Sequence, residues 1–146
     1  MKKIILSIFI FSISLNLLAA KPFNINEKVL HAFNRTFQNA KDVHWSEYLP
    51  YYEVNFKHND IRTKITYNAD GLIVKTIRYY SGEQLPLFIL TKITNKYVDK
   101  DIFGVIEEST DNGVIYHVTL EDTKNWILIS ADDYGSLTVD NKYKKA

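Results

Sequence analysis

The chain has no cysteine, and that one absence removes thiol catalysis, thiolate metal sites, iron–sulfur clusters and disulfide bracing together. A domain without such staples is held by packing, and an aromatic content of 14% supplies the large apolar surfaces that packing needs. Glycine is scarce as well. Gly71, Gly82, Gly104, Gly113 and Gly135 each stand alone, so there is no glycine-rich loop to cradle a phosphate and no Gly-x-Ser-x-Gly elbow to present a serine nucleophile. Excess charge of either sign is also missing, with 18 Lys and Arg against 17 Asp and Glu. Without a basic stripe, nucleic acid is excluded as a partner. His31, His44, His58 and His117 form neither His-x-x-x-His nor His-Glu-x-x-His, the spacings that bring two imidazoles onto one metal. They read as solvated surface histidines. Glu107-Glu108 and Asp132-Asp133 are adjacent acidic pairs; neighbours on a strand point to opposite faces, so neither pair serves as two carboxylates on one substrate. They read as turn or strand-end charges. No catalytic, cofactor-binding or metal-binding residue is assigned, and an enzyme is the weakest of the classes considered.

The one long apolar run lies at the start. Lys2 and Lys3 precede Ile4 to Leu18, which is broken by Ser7, Ser12, Ser14 and Asn16 and followed by Ala19-Ala20. A charged start, a short apolar stretch and a small-residue end are the layout of a secretory signal peptide. A membrane anchor would need about 20 apolar residues with fewer polar interruptions. No Cys follows the small residues to carry a lipid. The expectation is therefore a leader over residues 1–20 and a mature domain over 21–146, placed in the periplasm or outside the cell, with no membrane insertion once the leader is removed. Loss of Lys2 and Lys3 leaves 16 basic against 17 acidic residues.

Within 21–146 one unit is written twice. Tyr52, Val54, Phe56, Ile65 and Gly71 match Tyr116, Val118, Leu120, Ile129 and Gly135 at an offset of 64. The same offset joins Val29 to Ile93 and Phe33 to Tyr97. A constant offset over such distances is the mark of internal duplication. Asn24 and Glu27 predict a helix start, and Val29, Ala32, Phe33, Thr36 and Phe37 fall on one helical face. Alternation then predicts strands around Val43–Trp45, Tyr52–Phe56, Thr63–Tyr67 and Leu72–Tyr80. Ser81-Gly82-Glu83-Gln84 has the composition of a linker, and Pro86 fits the first turn of a second helix. Phe88 to Thr94 is rich in β-branched residues and reads as strand by propensity; the repeat makes it helix, with Ile89, Ile93 and Tyr97 on one face. Strands follow near Val105–Ser109, Val114–Glu121, Asn125–Ala131 and Ser136–Lys142. Asn112-Gly113 predicts a type I′ hairpin turn, and the charged tail 142–146 is expected to fray. The fold class is α+β: two tandem α-β4 repeats, about 24–80 and 85–143, form one antiparallel sheet with the helices on one face.

A leader, then Val29-x3-Phe33-x3-Phe37, Val43-x-Trp45, Tyr52-x-Val54-x-Phe56, Tyr67-x3-Gly71, Leu85-Pro86 and Tyr116-x-Val118 together resemble the PepSY-like family of secreted bacterial proteins. That family is also described as similar to beta-lactamase-inhibitor proteins. The resemblance implies tandem helix-plus-four-strand repeats, an extracytoplasmic location and a binding or inhibitory role. Its motifs are core aromatics and turn glycines, so they speak for fold; an inhibitory activity would rest on fold analogy. One departure is that Glu107-Glu108 stands where the second repeat should match Trp45.

The alternation also defines an outward face. If Tyr52, Val54, Phe56, Ile65, Val118, Leu120 and Ile129 point at the helices, then Tyr51, Glu53, Lys64, Ile115, His117, Trp126 and Leu128 point away. A solvated face has no need of two large aromatics and two aliphatics. Either it is closed by the termini, a loop or a symmetric copy, or it binds a protein. Tyr51, Glu53, Lys64, His117, Trp126 and Leu128 are the candidate partner-binding residues. The leading expectation is a non-enzymatic binding module with a protein partner, working as an inhibitor of an envelope or secreted enzyme. The alternative is a structural, self-associating envelope module, for which a homo-oligomer is the natural state. No cofactor is expected.

Overall fold

The computed structural model describes residues 24–146, so the leader reading of residues 1–20 lies outside the described residues. The order is α1 (Glu27–Thr36), β1 (Lys41–Tyr48), β2 (Tyr51–His58), β3 (Ile61–Tyr67), β4 (Ile73–Tyr80), α2 (Leu87–Lys96), β5 (Asp101–Thr110), β6 (Gly113–Glu121), β7 (Asn125–Asp132) and β8 (Leu137–Lys144). All eight strands form one antiparallel sheet in sequence order. Both helices pack on one face of it.

Helix α1 begins two residues later than an Asn24 cap implies. Asn26 is the cap, and its side chain accepts from the Lys28 N–H at 2.9 Å. Val29 and Phe33, one turn apart, bury against Tyr52, Val54, Phe56, Ile65 and Tyr67. Trp45 closes the side of this core, edge-on to Phe33 with ring centroids 5.2 Å apart.

Helix α2 shows tertiary burial overriding propensity. Ile89 and Ile93 are fully buried against Val105, Val118, Leu120, Ile127 and Ile129. Two aliphatic side chains so buried contribute about 1.5–3 kcal/mol each, which outweighs the few tenths per residue by which β-branched residues disfavour helix. Thr91 and Thr94 ease their own misfit by donating to the Leu87 and Leu90 carbonyls. Tyr97 packs half-buried against the same core as Ile89 and Ile93. It caps the helix, donating its N–H to the Ile93 carbonyl as Phe37 does to Phe33. Glu27 and Leu87 open their helices sixty residues apart, so the offset of 64 fails in the helices, although it holds for the buried strand positions. Opposite Val54 stands Trp45, and opposite Val118 stands Val105. Val105, not Glu107, thus stands across from Val118 as Trp45 stands across from Val54.

Several local features differ from the sequence expectation. Asn59 and Asp60 both have positive φ (49° and 62°), the pattern of a type I′ turn, and they join β2 to β3. Between β5 and β6 only Gly113 is left-handed, and the turn residues are Asp111 and Asn112, so the type I′ expectation fails there. The linker is ordered: Ser81 and Gln84 close a capping box over a single 3₁₀ turn. Gly82 leaves room for Ile102, since a Cβ there would lie 2.9 Å from its side chain. The tail does not fray. Strand β8 runs to Lys144, and the Lys145 N–H donates to the Lys124 carbonyl at 2.8 Å.

The two cores are separate. Between them, on the helix-bearing face, the Arg78 guanidinium donates to both oxygens of Glu107 at 3.1 and 3.2 Å, and the Tyr80 hydroxyl donates to the same carboxylate. Glu107 and Glu108 are therefore strand-interior residues with different partners, not turn charges. Glu107 faces this seam, whereas Glu108 faces the other side and bonds Lys75 at 2.8 Å.

Candidate functional site: the open sheet face

The helices cover one side of the sheet and leave the other open. Side chains alternate along each strand, and the register fixes what stands beside what. Tyr51, Glu53 and Asn55 of β2 face outward, as do Arg62 and Lys64 of β3 and Ile77 and Tyr79 of β4. Across the middle, Tyr79 stands beside Ile106, Ile106 beside His117, and His117 beside Ser130. One row along, Lys64 neighbours Ile77, then Glu108, Ile115 and Asp132. All six candidate residues lie on this face, but they do not form one cluster.

Tyr51 stands at one corner beside Tyr48, both exposed. Glu53 and Lys64 are spent on each other, 3.2 Å apart, with Asn55 bonding Glu53 at 3.3 Å. Trp126 lies near the far corner between Glu121 and Tyr143. It is half-buried, because Phe103 packs edge-on to it at 4.8 Å and the Lys145 ammonium sits 4.2 Å from its ring centroid. Leu128 is half-buried beside Thr119.

Sequence reasoning missed Phe103, Tyr143, Tyr79 and Ile106. Phe103 escapes simple alternation because the β5–β6 register shifts between Ile102 and Gly104, and the bulge aims the ring outward at 64% exposure. Gly104 within a strand was the available signal. Ile106 at 41% and Ile115 at 45% exposure form the apolar centre of the face. Arg62 lies over the Tyr79 ring at 4.3 Å.

His117 faces a serine and an acid. Ser130 Oγ lies 3.3 Å from His117 Nδ1 and also donates to Asp140. In a hydrolytic triad the imidazole stands between acid and hydroxyl and takes the hydroxyl proton. Here the hydroxyl is in the middle and bonds the carboxylate directly. That order activates no nucleophile.

Cavities add little. A recess of about 560 Å³ at the β6–β7 loop is lined by Asp99, Asp101, Glu121, Asp122 and Lys145. Its charges neutralise one another: Lys100 bonds Asp122 at 2.9 Å, and Lys145 bonds Glu121. The Lys100 ammonium, helped by the Lys124 and Asn125 backbone N–H groups, holds the Asp122 carboxyl well below the usual carboxylate range. A second recess of about 260 Å³ beside α1 is apolar, walled by Phe37, Ile61 and Ile73 with Arg78 at its margin. Among the described residues no group of three His, Asp or Glu side chains is placed to hold a metal ion. No described helix is long and apolar enough to cross a membrane.

The described residues define a class: an α+β protein with one eight-stranded antiparallel sheet, two short helices on one face and, among the described residues, the other face open. No protein-family model matches the chain, and no curated protein matches it by sequence. Solved structures do. A BLIP-like protein of Bacteroides fragilis is similar with a TM-score of 0.62 and 17% identity, over 84% of this chain and 86% of that one. A protein of Bacteroides eggerthii proposed to be periplasmic gives 0.61 and 15%, over 84% and 90%. A DUF2874 family protein of Bacteroides ovatus gives 0.61 and 16%, over 84% and 89%. The chain has the BLIP-like fold; at these identities the likeness extends to fold alone.

Proposed function

We propose that this chain is a non-enzymatic protein-binding module that works outside the cytoplasm and uses the open sheet face as its contact surface. The observation that carries the reading is the concentration of apolar side chains where a solvated sheet needs none. Ile106 and Ile115 hold the centre, Tyr51 one corner, and Phe103, Trp126 and Tyr143 another. Aromatic anchors inside a polar rim are the usual composition of a recognition patch. Tyr51 and Trp126 serve as anchors, His117 and Leu128 as the surface between, and the Glu53–Lys64 pair as rim. The BLIP-like neighbour supports an inhibitor of an envelope or secreted enzyme as the specific role, and the neighbour proposed to be periplasmic supports the location. A place in the PepSY-like family remains part of this reading.

An ancestral duplication belongs to the same reading. The helix caps Phe37 and Tyr97 correspond at an offset of 60, and the buried strand residues correspond at 64. The four extra residues fall in the β5–β6 hairpin, where Val105 and Val118 pair thirteen positions apart and Trp45 and Val54 nine.

The test pairs a melting curve with a capture assay on envelope extract, using Tyr51→Ala together with Trp126→Ala. Near-native melting with loss of the captured protein is the expected outcome. Native melting with undiminished capture would move the contact surface off this face.

A further inference from the structure

We propose that the open sheet face closes against a second copy of this chain in an isologous dimer. The inference rests on the reading of that face as a contact surface, and it names the occupant.

Charge on the face is segregated by half. On the first four strands Lys57, Arg62, Lys64 and Lys75 point outward against Glu53 and Asp42. On the last four, Asp101, Glu108, Asp132 and Asp140 point outward, with Glu121 paired to Lys145. The chain as a whole is close to neutral, so the face is a dipole rather than a patch of one sign. Some of this charge is satisfied internally, by the Glu53–Lys64, Lys75–Glu108 and looser Asp42–Lys57 pairs. Arg62 and Asp140 have no ion-pair partner among the described residues. Both are exposed.

Arg62 begins one row of the sheet, and the Asp140 carboxylate reaches the far end of that row from the β8 bulge. Arg62 on β3 is followed by Tyr79, Ile106, His117 and Ser130 on β4 to β7 and by Thr138 on β8; Asp140, two residues beyond Thr138 at the β8 bulge, accepts from the Ser130 hydroxyl. The midpoint of that row falls between Ile106 and His117. A two-fold axis running along the strands there leaves β3 and β8 each two and a half strand spacings away, about 12 Å. It brings Arg62 of one copy over β8 of the other beside Thr138, toward the Asp140 carboxylate at the bulge, twice per dimer, and sets Ile106 against His117 at the centre. The exposed apolar residues Ile106 and Ile115 then lie in the middle of the contact, and the unpaired charges lie toward its rim. Aligned packing of two sheets keeps their strands within about 30°, so the rows stay in register near the axis. Six strands at about 4.8 Å and seven residues at about 3.3 Å give a footprint of roughly 29 Å by 23 Å. Side-chain relief raises that plane toward the ~800 Å² per partner of a standard interface. Tyr51 and Tyr48 lie beyond this footprint and stay free.

Charge reversal tests the symmetry directly. Arg62→Glu and Asp140→Arg are made singly in the full chain, with melting curves to check the fold and sedimentation velocity to read mass at low and high salt. The wild type is expected to dimerise, less tightly in high salt because the rim charges are screened. Each variant is expected to self-associate about tenfold or more weakly, because the like-charge contact occurs twice. An equimolar mixture of the two variants is expected to recover the dimer, since each then supplies the charge that the other lacks. Should either reversal lower the melting midpoint, Arg62→Gln and Asp140→Asn repeat the comparison with milder loss. A wild type that stays monomeric at high concentration overturns self-pairing, while leaving the open-face reading to its own capture test. A dimer that survives both reversals overturns pairing through this face and places the contact elsewhere, at the β1 or β8 edge. Failure of the mixture to recover overturns the two-fold arrangement.

Discussion

Replacing Tyr67 by Phe should stabilise the protein. The Tyr67 side chain is 1% exposed in the α1 core, against Trp45, and its hydroxyl has no hydrogen-bond partner among the described residues. Burial alone pushes its pKa up to about 12. A buried hydroxyl without a partner costs about 1–3 kcal/mol in lost hydration. Phe removes that cost and preserves the ring contacts, and the space left by one oxygen returns a few tenths at most. The net expectation is a gain of about 1–2 kcal/mol at neutral pH, or several degrees in melting midpoint for a domain of this size. The pH dependence supplies a second readout. The raised pKa means that the folded state binds a proton the unfolded state releases. Stability from keeping Tyr67 neutral is therefore complete below the ordinary tyrosine value of about 10 and is lost as pH climbs toward 12. Urea denaturation followed by circular dichroism at pH 7 and again at pH 11 measures both. The wild type should lose more stability than Tyr67→Phe between the two. A variant less stable than wild type by 1 kcal/mol or more at pH 7, or one with an undiminished alkaline loss, would refute the reasoning by showing that the hydroxyl is satisfied.

Three further outcomes follow from the same structure. Phe56→Ala opens a cavity under α1, where Phe56 meets Phe33 and Phe37 at 5.1 and 4.8 Å, and should cost about 3–5 kcal/mol in chemical denaturation. A chain ending at Gly82 keeps the α1 core but leaves β4 without its neighbour across six registered pairs; units of that size bury too little to be comfortably stable. It should be poorly folded by circular dichroism, and cooperative melting near the full-length midpoint would contradict this. Asp122→Asn should flatten the acid limb of stability, because a depressed carboxyl stabilises above its unfolded pKa of about 3.9 and loses that contribution as pH falls below it. Melting midpoints at pH 3 and pH 6 check it.

Sequence periodicity was enough for the existence, order and buried faces of nearly every element. Alternation at Tyr52-Val54-Phe56 and Val118-Leu120 named the inner side of the sheet, and the structure buries each of these residues. Those signals are local, since each depends only on which neighbours share a face. The sequence also excluded thiol chemistry outright, because no fold supplies a missing cysteine. Tertiary structure decided what depends on contacts distant along the chain. The strand-like run Phe88 to Thr94 became helix because Ile89 and Ile93 found a core on β5 to β7. The charged tail became a strand because β7 offered it a registered edge. Phe103 turned outward onto Trp126 through a bulge that alternation alone does not reveal. Glu107 and Glu108, neighbours in sequence, went to opposite faces and different cations. The row from Arg62 to Ser130, with Asp140 reaching it from the β8 bulge, exists only through the pairing of six strands, and no reading along one strand brings its two ends into relation.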